Sequence, residues 1–147
     1  MRRALGLLAA LALLGLGAGS PASGAASAAP LAAEAPAWPD LSVRGAFEGR
    51  RSGVWLGARG VVSRLLRDDL EGQRHQRFIL RLPDGLTVLV SHNITVAPRV
   101  PAGKGDEVEV YGRYEWNKRG GVIHWTHRDP KGRREGGWIR HKGEVYR

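Results

Sequence analysis

From Trp55 onward, apolar and polar residues alternate in short runs broken by Gly, Pro, Asn and Asp, the pattern of strands that bury one face. A first strand is expected over about Trp55–Leu66, with Gly57 and Gly60 permitting tight coiling. Gln76–Leu82 and Leu86–His92 follow as a second and third strand. The Pro83-Asp84-Gly85 between them fits a type I turn with glycine at the left-handed position. That loop pairs Leu82 with Leu86, Leu80 with Val88 and Phe78 with Val90, which puts every large apolar side chain on one face.

Asn93 to Lys104 reads as irregular chain, since Pro98 and Pro101 interrupt it. A fourth strand opens at Gly105-Asp106, where Val108, Val110, Gly112, Tyr114 and Trp116 alternate with charged residues and Tyr111. A turn over Asn117–Gly120 leads to a fifth strand, Val122 to His127. Trp138–His141 and Glu144–Arg147, joined by Lys142-Gly143, make a terminal hairpin. Upstream, a short helix from a cap at Asp40 to about Arg51 places Val43, Ala46 and Phe47 on one stripe.

Five strands with a coiled first member and a long connection after the third specify an all-β fold, a small five-stranded OB-like barrel with a short N-terminal helix and a C-terminal hairpin. An SH3-like barrel and an open β-sandwich are the alternatives. The expected organisation is a signal peptide over 1–28, a flexible Ala/Pro-rich lead-in over 29–39 and a single barrel domain over 40–147.

The leader reading rests on Arg2-Arg3, the apolar run Ala4 to Ala18 and the A-x-A shape of Ala26-Ser27-Ala28. It implies export, to the periplasm or the medium, with no transmembrane segment after processing. The chain has no cysteine, which excludes disulfide staples, thiolate catalysis and Cys-ligated zinc. The net charge of +9, reduced by loss of Arg2 and Arg3 on processing, favours anionic partners such as nucleic acid or a cell-envelope polymer.

Four of the five histidines lie at or near strand ends among Asn, Gln, Trp and Asp. In an OB order the third and fifth strands run parallel, so His92 and His127 finish at one end of the barrel. The hairpin register sets Gln76 opposite His92 and His75 opposite Asn93. Candidate binding residues are therefore Arg74, His75, Gln76, His92, Asn93, His124, Thr126, His127 and Asp129.

His92, His127 and His75 are the candidates for proton transfer. No resident cofactor or metal is expected; a divalent ion at His92, His127 and Asp129 is the alternative. Strand geometry sends His124 and His127 to opposite faces and sets Thr126 beside His124 on the outer face. Trp125 then points to the core. The basic run Arg128, Lys131, Arg133 and Arg134 reads as a solvated loop. Tyr111 and Arg113 share an outer stripe of the kind that stacks single-stranded nucleic acid.

Arg74-His75-Gln76-x-Phe78, His92-Asn93-Ile94, Glu115-Trp116-Asn117 and the run Gly120 to His127 followed by Asp129-Pro130 together resemble an exported bacterial family named as domain of unknown function 3465. The resemblance extends from about Gly53 to the C-terminus and implies a small exported domain, without bringing an activity or ligand. Family members often carry His where this chain has Arg134 and Asp where it has Thr95. The functional readings that follow are a binding module for an anionic or polar ligand (nucleic acid, an envelope polymer or a protein) at the rim, a small His-dependent hydrolase of phosphodiesters with or without a metal, and an envelope structural protein.

Overall fold

Among the described residues seven strands and one short helix follow each other in the order the hydrophobic pattern sets out: α1 (Val43–Glu48), β1 (Val54–Leu65), β2 (His75–Arg81), β3 (Thr87–Asn93), β4 (Glu107–Glu115), β5 (Val122–His124), β6 (Trp138–His141) and β7 (Glu144–Tyr146). The computed structural model describes residues 42–134 and 136–147. The leader, the lead-in and Asp40 lie outside the described residues. Among those described, no helix is long and apolar enough to cross a membrane.

The ring runs β1-β2-β3-β5-β4 and closes through β1–β4 pairing. One long strand supplies two sides of it: β1 pairs with β4 from Val54 to Val61, and with β2 from Val61 onward. Coiling that far requires close backbone approach at Gly60, where a Cβ would collide with the Arg81 carbonyl oxygen. A register shift between Val62 and Arg64 adds further bend.

The β2–β3 hairpin has the expected register, with Phe78 opposite Val90 and Leu80 opposite Val88. Gly85 takes the left-handed conformation at φ 84°. The inward side chains of this hairpin join Leu56, Val62, Tyr114 and Ile123 in a core sealed from solvent. The one polar group of Tyr114 is satisfied there, its hydroxyl donating to the Gly120 carbonyl at 3.1 Å.

Three local expectations are corrected. Ser42, not Asp40, caps α1, its hydroxyl accepting from the Gly45 amide at 3.0 Å. The helix ends at Glu48 with Gly49 as its C-cap. The fifth strand stops at His124 instead of running to His127, because Trp125 adopts φ 56° and turns the chain out of the sheet. The terminal hairpin forms over Lys142-Gly143, both at positive φ as a two-residue turn demands. It docks outside the ring, β6 pairing with β4 from Val108 to Tyr111.

Candidate functional site

A buried polar layer closes the barrel end to which β2, β3 and β5 deliver their histidines. Gln76 is inward on β2 and 5 % exposed. Its amide nitrogen donates to the Val100 carbonyl at 2.8 Å and its oxygen accepts from the Val100 amide at 2.9 Å. His92, fully buried opposite Gln76, places Nε2 2.9 Å from the Pro98 carbonyl and Nδ1 2.8 Å from the Thr126 hydroxyl. A carbonyl can only accept, so Nε2 carries the proton and Nδ1 of the neutral ring accepts from Thr126. Burial is the main cause that holds the His92 pKa below its ordinary value, and the neighbouring His127 and His75 push the same way.

Outside this layer lies a cavity of about 470 Å³. His75, Asn93, His124, Trp125 and His127 form one wall, and the loop carrying Asp129, Pro130, Lys131, Arg133 and Arg134 forms the other. Gln73 and Val96 complete the rim. His75 Nδ1 lies 2.7 Å from the Gln73 carbonyl, and His127 Nδ1 lies 2.7 Å from the Arg128 carbonyl. Both rings therefore keep their proton on Nδ1 when neutral and carry the lone pair on Nε2. Asn93 is fixed by an amide donation to Gln73 Oε1 at 2.6 Å and by the Thr95 amide at 3.0 Å.

Trp125 is held between two imidazoles, edge-on to His124 at 6.5 Å and stacked on His127 at 6.0 Å. A bulky residue in the left-handed region costs about 1–3 kcal/mol, so the surrounding structure imposes this placement. His124 Nε2 is buried without a hydrogen bond and sits 3.6 Å from Glu115 Oε1, just beyond bonding reach. Its pKa is lowered chiefly by desolvation, against the pull of Glu115.

The loop takes its shape from Asp129, whose oxygens accept from the backbone amides of Lys131 at 3.1 Å and Arg133 at 3.0 Å. Those bonds, led by Lys131, lower the pKa of its carboxyl. Its oxygens are thus engaged by the backbone, and the charge of Arg133 adds Coulombic attraction. Among the described residues the side chains of Lys131, Arg133 and Arg134 form no ion pair, and they line the same space.

A family model for proteins of unknown function, DUF3465, matches residues 27–147 and so takes in the whole cavity wall. The chain belongs to that family. No curated protein matches it.

This DUF3465 domain divides the sequence candidates into two groups. His75, Asn93, His124, His127 and Asp129 surround the cavity, whereas Gln76, His92 and Thr126 lie beneath it with their polar atoms engaged. Arg74 sits at the exposed edge and donates its backbone amide to Thr95 Oγ1 at 2.9 Å. The outward placement of Thr126 and inward placement of Trp125 are corrected: Thr126 is fully buried and Trp125 lines the cavity. The turn at Trp125 also brings His124 and His127 to one space, not to opposite faces.

With both His92 nitrogens bonded, a metal at His92, His127 and Asp129 has no free donor on its first residue. No cluster of three His, Asp or Glu residues among those described is arranged to hold an ion. Trp125, Lys131, Arg133 and Arg134 are among the cavity residues that pattern alone did not single out as a site. The signal for them is Asp129-Pro130 beside a basic run, an Asx-type turn that folds cations back onto the strand end.

Proposed function

We propose that this domain is an exported binding module that seats the anionic group of its ligand in the imidazole-lined cavity. The supporting observation is the charge arrangement: Lys131, Arg133 and Arg134 line the cavity free of ion pairs among the described residues. Among the described residues that line the cavity Asp129 is the one carboxylate, and its oxygens accept from backbone amides. Guanidinium groups in such a setting suit phosphate or carboxylate oxygens. Binding of pyrophosphate, followed calorimetrically at low salt, is expected to weaken at least tenfold in an Arg133→Ala/Arg134→Ala variant, and to fall steeply as salt rises. Salt-insensitive binding, or an unchanged affinity in the variant, refutes the proposal.

A hydrolase reading has one foothold, the His127 ring, whose carbonyl-fixed tautomer presents the lone pair a general base needs. His92 has no nitrogen to offer. Turnover of a generic phosphodiester that disappears in His127→Ala would favour this reading; equal rates in both proteins would end it.

A further inference from the structure

We infer that the outer face of β1, β4 and β6 is a second binding surface, one that stacks the bases of a single-stranded nucleic acid whose phosphates enter the cavity. The inference rests on the anion-binding reading of the cavity and adds the ligand class. Trp55, Tyr111 and Trp138 form a ladder across three strands, with ring centroids 5.7 Å and 6.2 Å apart and interplanar angles of 39° and 31°. Tyr111 is paired directly with Trp138 on one side and with Gly57 on the other, where no side chain separates it from Trp55. All three residues are partly buried, neither sealed in the core nor fully exposed.

The Arg140 guanidinium lies over the Trp138 ring at 4.9 Å, held by Glu109 Oε2 at 2.8 Å, and extends the flat surface by one more plane. A core built only for packing does not place three large rings and a guanidinium on the outside of a barrel.

This face is continuous with the cavity by two routes. Arg134 lines both the cavity and the small pocket bounded by Trp55 and Tyr111. Arg113 stands directly between Trp55 and the cavity residue His124 in the cross-strand register. A ligand that uses both parts must repeat a flat ring and an anionic group along an extended chain. Single-stranded nucleic acid meets that requirement, and base stacking on aromatic rings tolerates every sequence. A neutral polysaccharide would use the rings and leave the cations idle.

The test compares four probes on the full chain: pyrophosphate, a thymidylate decamer, an abasic decamer of the same length and a neutral β-glucan hexamer. The thymidylate decamer is expected to bind at least about tenfold tighter than the abasic one. Trp55→Leu and Tyr111→Leu should each weaken thymidylate binding about tenfold while pyrophosphate affinity stays unchanged, which also shows that the variants fold. Trp55→Phe should restore most of the loss.

Equal binding of the two decamers, or loss confined to the glucan, overturns the inference and leaves the cavity reading standing. Pyrophosphate that fails to bind, beside thymidylate binding that still depends on Trp55, removes the cavity reading and upholds the stacking surface. Absence of binding by all four probes overturns both.

Discussion

Gln76→Leu is expected to lower the free energy of unfolding by about 2–5 kcal/mol, although it replaces a polar side chain with an apolar one of similar size in a buried position. The loss comes from the loop, not from the strand. Gln76 bonds both the amide and the carbonyl of Val100, and Val100 is 1 % exposed. Leucine leaves that donor and that acceptor buried without partners, at about 1–3 kcal/mol each. The added apolar contact offsets a fraction of this. Gln76→Glu would not rescue the barrel, since a carboxylate accepts from the Val100 amide but has no proton for its carbonyl and carries charge into the interior. Urea denaturation checks the prediction: the midpoint should fall with an unchanged slope. A loss below about 1 kcal/mol would mean that the segment after β3 is held by something other than this amide.

The part of the site that was legible in the sequence is the part that strand pairing dictates. Pro83-Asp84-Gly85 and the alternation on either side of it demand one register, and that register sets Gln76 opposite His92 and His75 opposite Asn93. Parallel pairing of β3 with β5, Leu89 opposite Val122 and Val90 opposite Ile123, carries the His124–His127 segment to the same end.

What pattern could not reveal is the single left-handed residue at Trp125. Nothing in a Trp-Thr-His run signals positive φ, because glycine and asparagine are the usual occupants. Continuing the period-2 alternation through it inverts every following assignment. That one step separates a histidine that packs from histidines that line a cavity.

The cationic wall was hidden for a different reason. A loop has no periodicity, and its position depends on contacts distant in sequence. Gly137 donates its amide to the His127 carbonyl at 2.9 Å, and a Cβ on Gly136 would crowd the backbone of residues 127–129. Two glycines thus let the chain return close against the strand end, and the basic residues before them are folded over His127. The docking of β6 onto β4, which assembles the aromatic ladder, is likewise a tertiary event that neither hairpin nor strand announces alone.

His92→Leu is expected to cost about 2–4 kcal/mol at pH 8, and the gap between variant and parent should narrow as the pH falls. The cost at high pH follows from the two groups left behind, the Pro98 carbonyl and the Thr126 hydroxyl, in a site with no exposure. The narrowing follows from linkage. In the folded protein the imidazole pKa lies below its ordinary value of 6.5, so the unfolded chain takes up a proton first as pH drops. Stability from neutral His92 is complete above about pH 6.5 and is lost between that value and the lowered folded pKa, with a slope approaching about 1.4 kcal/mol per pH unit. His124, shifted in the same direction, contributes a parallel slope that the variant retains.

Unfolding curves at several pH values between about 8 and about 5 separate the two contributions. A gap that stays constant with pH would show that His92 takes up its proton as readily in the folded state as in the unfolded chain. The layer beneath the cavity would then be open to water, and His92 would return as a base for chemistry at this end of the barrel. A gap that closes instead leaves recognition to the outer imidazoles, with His92 and Gln76 holding the floor on which His127 and Trp125 rest.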